Sequence, residues 1–197
     1  MKPFISLQRS AFAAAALFST FSYGKNYKLD EDHSSVAFSV KHLVISTVKG
    51  GFKKYNASFS IDDKTGLFTK LEATVDVASI DTGSPKRDEH LKGEDFFEIS
   101  KFPTMTFKMK KYEGDKTGGK AKGDLTLRGV TKPAEFTVSI AGTAKDPWGN
   151  ERLGASMKGV INRKDFGLSW NKALETGGVL VGEEVSIELD GEGIATK

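Results

Sequence analysis

From Tyr27 onward apolar residues recur at every second position, the period of half-buried strands and not the 3.6 of helices. Val36, Phe38, Val40 and His42 share one face, with Ala37, Ser39 and Lys41 on the other. A second run puts Tyr55, Ala57, Phe59 and Ile61 together, and Phe52 out of phase predicts a bulge near Lys53-Lys54. The remaining runs are Leu71–Val77, Met105–Met109, Ala121–Leu127, Ala134–Ile140, Leu153–Ile161 and Val185–Leu189. Turn chemistry separates them at Asp62–Gly66, Gly114–Gly119, Arg128-Gly129 and Asp146–Gly149. Short connections make neighbours antiparallel. Eight one-sided strands can close as a sandwich or a barrel, and the succession of hairpins favours an extended eight-stranded antiparallel barrel in an all-β chain.

One segment breaks the period, SPKRDEHLKGEDFFEISKFP from Ser84 to Pro103. Ser84 is placed to cap a short helix between the third and fourth strands, Pro85 suits its first position and Gly93 its end. Phe96, Phe97 and Phe102 then supply apolar bulk outside any strand. The segment reads as a lid over one barrel end, as part of a ligand mouth, or both.

The N-terminus carries Lys2 and Arg9 ahead of an apolar run from Ala11 to Phe21, followed by Ser22-Tyr23-Gly24. This is the layout of a cleaved export signal over 1–24, leaving a single domain over 25–197. The apolar run is about half the roughly 20 residues of a membrane span, so no integral anchor is expected. The chain has 29 Lys+Arg against 26 Asp+Glu. Losing Lys2 and Arg9 leaves it nearly neutral, which argues against a nucleic-acid partner. With no Cys, disulfides, thiolate zinc sites and thiol catalysis are excluded.

Positive signs of catalysis are missing from the sequence. There is no GxSxG, P-loop, HExxH or GxGxxG following a strand. The three histidines, His33, His42 and His90, stand in separate contexts, so no metal site and no catalytic residue is assigned. A container remains. An eight-stranded barrel either fills itself with its own side chains or holds one small ligand. The small residues Ala57, Ala73, Ala121, Gly123, Ala155 and Gly159 leave room along the axis, although a packed taper uses the same alternation. Phe and Met walls suit a long flexible apolar guest. Ten enclosed methylenes would contribute about 8 kcal/mol gross.

Several stretches resemble the YceI family of lipid-binding proteins. They are DHSSVAFSVKHLVISTVKGGF from Asp32, Arg87–Lys92 with Asp95-Phe96-Phe97, Lys101-Phe102-Pro103, GDLTLRGVTKP from Gly123, Ile161–Gly167 and Gly177–Gly182. The resemblance implies a lipocalin-like barrel, bacterial and periplasmic or secreted, that encloses a polyisoprenoid or a fatty-acid relative, often as a homodimer. No cofactor beyond the bound lipid is implied.

On the period and the resemblance together, Phe38, Val40, Phe59, Val75, Met105, Phe107, Phe136, Val138 and Met157 are expected to line the tunnel or simply form core. The family positions His33, His42, Arg87, Asp88, His90, Asn162, Arg163 and Asp165 are expected to meet a head group at the mouth or to brace its loops. The reading is a non-enzymatic carrier of a long-chain lipid such as a polyisoprenoid, isoprenoid quinone, fatty acid or fatty-acid amide. Its rivals are a filled interaction or stress-response barrel, and a lipid-pyrophosphate enzyme using the histidines with Arg87.

Overall fold

The computed structural model describes residues 24–173 and 179–196. The expected export signal, and Gly177-Gly178 of the resemblance, lie outside the described residues. The elements are β1 (Gly24–His42), β2 (Ser46–Phe52), β3 (Tyr55–Asp62), β4 (Phe68–Asp76), β5 (Ile80–Asp81), α1 (Pro85–Lys92), β6 (Thr104–Asp115), β7 (Gly118–Leu127), β8 (Val130–Lys145), β9 (Glu151–Asn162) and β10 (Val181–Ala195). Single 3-10 turns lie at Val77–Ser79 and Arg163–Phe166.

Eight strands close the barrel in the order β10, β9, β8, β7, β6, β4, β3, β1, with β1 returning to β10. All of these pairs are antiparallel. Each of the eight predicted runs falls on one of these strands. β1 is long enough to serve two neighbours: Gly24–Lys28 pair with β3, and Val36–His42 pair with β2. β2 and β3 are therefore one wall strand interrupted at the predicted place. There the Lys53 N–H donates to the Ser79 carbonyl (3.1 Å), and the Lys54 carbonyl accepts from the Asp76 N–H (2.9 Å).

Helix α1 begins as the sequence indicates. Ser84 is extended, Pro85 takes the first turn, and the Ser84 carbonyl accepts the Asp88 N–H at 2.9 Å, although the Ser84 side chain makes no capping bond. The segment closes one barrel end, hereafter the α1 end, through Leu91, Phe96 and Phe97. Phe97 meets Phe52 edge to face (6.3 Å), and Phe96 lies against Trp170 (5.2 Å).

The opposite half carries a row of packed aromatic rings. Tyr27 stacks on Phe59 with centroids 5.0 Å apart, Phe59 meets Phe68 at 5.4 Å, and Phe68 meets Tyr112 at 5.3 Å. Ring pairs of this kind add about 0.5–1.5 kcal/mol beyond the area they bury.

The small residues divide by role. Ala57, Ala73 and Ala155 face the interior space, while Ala121 is fully buried in packed core. Gly123 and Gly159 do not open the axis, contrary to the expectation. A Cβ at Gly123 would lie 2.8 Å from the Met109 Cα of β6, and one at Gly159 would lie 2.7 Å from the Phe136 ring. Gly123 therefore admits the neighbouring backbone, and Gly159 admits a ring.

Candidate functional site

Two cavities lie in the barrel, one above the other, and Val36 lines both. The lower has about 90 Å³, with walls that include Leu29, Phe59, Phe107, Phe136, Val138 and Met157. The upper, under the α1 segment, has about 110 Å³ and is bounded by Phe38, Val40, Met105, Phe97, Ile187 and Arg163 among others. Each holds more than one water's share of space, yet the walls are almost wholly apolar.

Eight of the nine expected tunnel residues thus border one of the two spaces. Phe38, Val40 and Met105 border the upper one; Phe59, Phe107, Phe136, Val138 and Met157 border the lower. Val75 borders neither space and packs in a cluster with Val36, Phe52, Val77 and Ile80. The lid residues Leu91, Phe96, Phe97 and Leu168 were not among the expected lining, because a non-strand segment has no period from which an inward face can be read.

The expected mouth residues do not form one cluster. Arg163 alone among them lines either of the two interior cavities. It is 4% exposed, and no carboxylate lies within salt-bridge distance of it among the described residues. Its Nε donates to the Gly182 carbonyl at 2.8 Å, Nη2 to the Val181 carbonyl at 3.3 Å, and Nη1 to the Leu168 carbonyl. Burial lowers its pKa from the ordinary arginine value. Asn162 caps the following turn by accepting the Lys164 N–H at 3.0 Å, and Asp165 is exposed in that turn.

Arg87 and Asp88 do not pair with each other; both hold Thr82. Arg87 Nε donates to Thr82 Oγ1 (2.8 Å) and its Nη2 to the Thr82 carbonyl (2.8 Å). Buried Asp88 accepts from the Thr82 N–H (2.9 Å) and hydroxyl (2.5 Å). His90 bonds Asp95 (2.9 Å) and sets its ring against Phe96 and Trp170. His42 ends β1, where its carbonyl accepts from Ser46.

His33 stands apart from the others, at the bulge of β1 between Asp30 and Ser35. It bonds Asp30 at 2.9 Å, which raises its pKa above 6.5. Asp30, His33 and Glu192 bring three metal-ligand types within 4.8 Å. Arg152 already occupies this group: Nη1 donates to Asp30 (2.5 Å) and Glu192 (2.9 Å), and Nε to Asp146 (3.1 Å). A guanidinium there supplies the positive charge that an ion would bring. The sequence gives no sign of this network, since its members are scattered over β1, the β8–β9 turn, β9 and β10.

A closed antiparallel barrel with an apolar interior and a lidded end defines a container of lipocalin type. The YceI-like domain model matches residues 27–193, and the chain belongs to that family. A UPF0312 protein of Staphylococcus aureus is 39% identical over 168 residues, covering 85% of this chain and 96% of the relative. The YceI protein of Campylobacter jejuni is 38% identical, covers 80% of this chain and 90% of its own, and superposes with a TM-score of 0.70. A Saccharophagus degradans domain described as polyisoprenoid-binding shares the fold at 15% identity, with a TM-score of 0.60 over 86% of this chain and 98% of that one. Among the described residues no helix is long and apolar enough to cross a membrane.

Proposed function

We propose that the protein binds one long-chain amphiphile of polyisoprenoid type along the barrel axis and carries or stores it outside the cytoplasm, without bond chemistry. The observation that carries this reading is the pair of apolar cavities meeting at Val36. Leu29 borders the lower space and Val40 the upper, both on β1. β1 takes five steps from Asp30 to Ser35 where β10 takes two, so the stretch equals the eight steps from Gly193 to Val185 on β10. That is about 26 Å along the strand at roughly 3.3 Å per residue, and about 20 Å along the axis of a barrel tilted by about 40°. It exceeds half of a bilayer core of roughly 30 Å, and so suits a long chain. Among long chains, the Saccharophagus degradans domain's description favours a polyisoprenoid.

Each cavity alone is smaller than the roughly 300–1,000 Å³ of sites that hold drug-sized ligands. Binding therefore requires the waist around Val36 to open. Met157 below and Met105 above are the side chains suited to this, since three rotatable bonds let them re-pack at low cost. Arg163 orients the head group at the α1 end. Its three nitrogens are anchored on carbonyls, and a guanidinium carries five N–H donors, so two remain for a phosphate or carboxylate oxygen.

The test is Ala155→Trp, which fills the lower cavity from a wall position. The folded variant is expected to lose stoichiometric long-chain lipid, and Ala155→Leu to retain part of it. Full lipid occupancy in a folded Ala155→Trp protein would sink the axial assignment. The orientation is tested separately with the wild-type chain: a polyprenyl phosphate should bind more tightly than the uncharged polyprenol, and equal affinities would remove Arg163 from the head-group role.

A further inference from the structure

The β1–β2 hairpin ends in a feature that the barrel does not need. Its three-residue tip is Leu43-Val44-Ile45, with Val44 71% and Ile45 86% exposed. Leu43 and Val44 both have positive φ, 53° and 64°. Glycine or asparagine is the residue for such positions, and a β-branched valine there is strained. A tip selected for folding would carry turn chemistry; this one keeps a strained, exposed valine and an exposed isoleucine. A local rule broken without a compensating contact marks a functional surface.

Charge indicates what that surface meets. Between Asp32 and Asp62 the chain carries Lys41 and Lys49 on the hairpin and no carboxylate, in a chain with 26 of them; Lys53 and Lys54 lie beyond the far end of β2, where Lys53 pairs with Asp81 at 2.6 Å. Lys41 and Lys49 flank the tip, and neither has a carboxylate within salt-bridge distance among the described residues. Lys41 bonds only the Thr47 hydroxyl, at 3.2 Å. On the adjacent strand β10, Glu183 is taken by Lys164, and Glu184 stands opposite Asn162 of β9. The tip is also continuous with the upper cavity. The Leu43 N–H donates to the Leu180 carbonyl at 2.9 Å, and the cavity-lining Val40 and Val181 lie just inside.

We infer that the Leu43-Val44-Ile45 tip is a membrane-docking element. It inserts its aliphatic side chains into the headgroup region of an anionic lipid surface, while Lys41 and Lys49 contact the lipid phosphates. An exposed aliphatic tip with two lysines on one face of the hairpin behind it is an arrangement that partitions into such an interface. Docking would bring the α1 end of the barrel to the bilayer. The inference does not require the cavity to be occupied, so it stands or falls apart from the carrier reading.

The test is co-sedimentation of the protein, expressed as the full chain with its own N-terminus and purified without detergent, with phosphatidylglycerol-rich and with pure phosphatidylcholine vesicles. The variants are Val44→Asn with Ile45→Ser, and Lys41→Gln with Lys49→Gln. The wild type should partition onto the anionic vesicles. The tip variant should bind at least about tenfold more weakly, and the lysine variant about fivefold more weakly per residue. Binding should fade at about 1 M salt, where screening reaches roughly 3 Å.

Trp148, read in a Trp170→Phe background because Trp170 sits beside Phe96 at the α1 end, provides an internal control. It is 81% exposed in the β8–β9 turn, at the other end of the barrel, so its emission should stay that of a hydrated indole when vesicles are added. Failure of the wild type to bind either vesicle would overturn the inference. So would equal binding by all variants, or a blue shift from Trp148. Ultracentrifugation showing the tip variant to be monomeric where the wild type is dimeric, with no vesicle binding, would assign the tip to contact between copies and also overturn it.

Discussion

Arg152 on β9 reaches past β10 to Asp30 on β1, where its Nη1 lies 2.5 Å from the carboxylate Oδ2. That bond, helped by His33, holds the Asp30 carboxyl at about 2 against an ordinary 3.8. A depressed folded-state value means that the stabilisation is complete above about pH 4 and is lost as pH falls through 2. Glu113, held at about 2 by Lys111 and Lys122, falls in the same window. Urea midpoints of the wild type should therefore drop between pH 4 and 2. In Arg152→Leu the midpoint at pH 7 should be lower and the drop shallower. An unchanged acid limb would count against the role given to Arg152.

His33 works in the opposite direction. Asp30 raises its pKa above 6.5, so its contribution is complete below pH 6.5 and is lost as pH rises through the raised folded-state value. An imidazole NMR titration should place His33 above 6.5 in the wild type and nearer the ordinary value in Asp30→Asn. His33 is exposed, so the accompanying change in stability should be small.

Phe136 is 3% exposed and meets Phe107 edge to face at 5.0 Å. Phe136→Ala should cost about 3–5 kcal/mol by equilibrium unfolding, whereas Met157→Leu at the cavity wall should cost less than about 1.5 kcal/mol. If the methionine side chain must swing for a guest to enter, Met157→Leu should also slow lipid uptake in stopped-flow measurements. A Phe136→Ala loss below about 1 kcal/mol would show that the lower half is not packed as described.

Val44→Gly should stabilise the barrel by about 1 kcal/mol, because it relieves a left-handed valine. Gly129→Ala should do the reverse. Gly129 has φ 72°, and a Cβ there would meet the Phe102 ring at 2.6 Å. Denaturant midpoints of the two variants moving the same way would contradict this reading of the two turns.

Much of this architecture was legible in the sequence because the barrel wall is written with a period of two. The bulge at Lys53-Lys54 and the Arg128-Gly129 turn could be read directly, as could the Ser84-Pro85 helix start. The first half of β1 was less visible. Asp30-Glu31-Asp32-His33-Ser34 interrupts the alternation where β1 shifts register on β10, so the pattern lapses while the strand continues. The β1–β2 turn was hidden for a different reason: Leu43-Val44-Ile45 contains none of the residues that punctuate turns. Gly123 and Gly159 read as empty space along the axis, yet small residues equally admit a neighbouring backbone or ring, and only three-dimensional register separates the two.

Asp88 shows how a family position can be structural. Asp88→Ala would leave the Thr82 N–H and hydroxyl without their acceptor, a loss of about 1–3 kcal/mol. Bound-lipid stoichiometry in the folded fraction should be unchanged. If lipid is lost while stability is kept, Asp88 belongs to the head-group site.

Whether the barrel holds a lipid is read from the mass of the protein as a cell makes it. The full chain would be expressed with its own N-terminus, purified without detergent, and its native and denaturing mass spectra compared. One long-chain species per barrel is expected, absent from the denatured spectrum and recovered in organic solvent. An empty barrel that also takes up no added polyprenol or polyprenyl phosphate would contradict it.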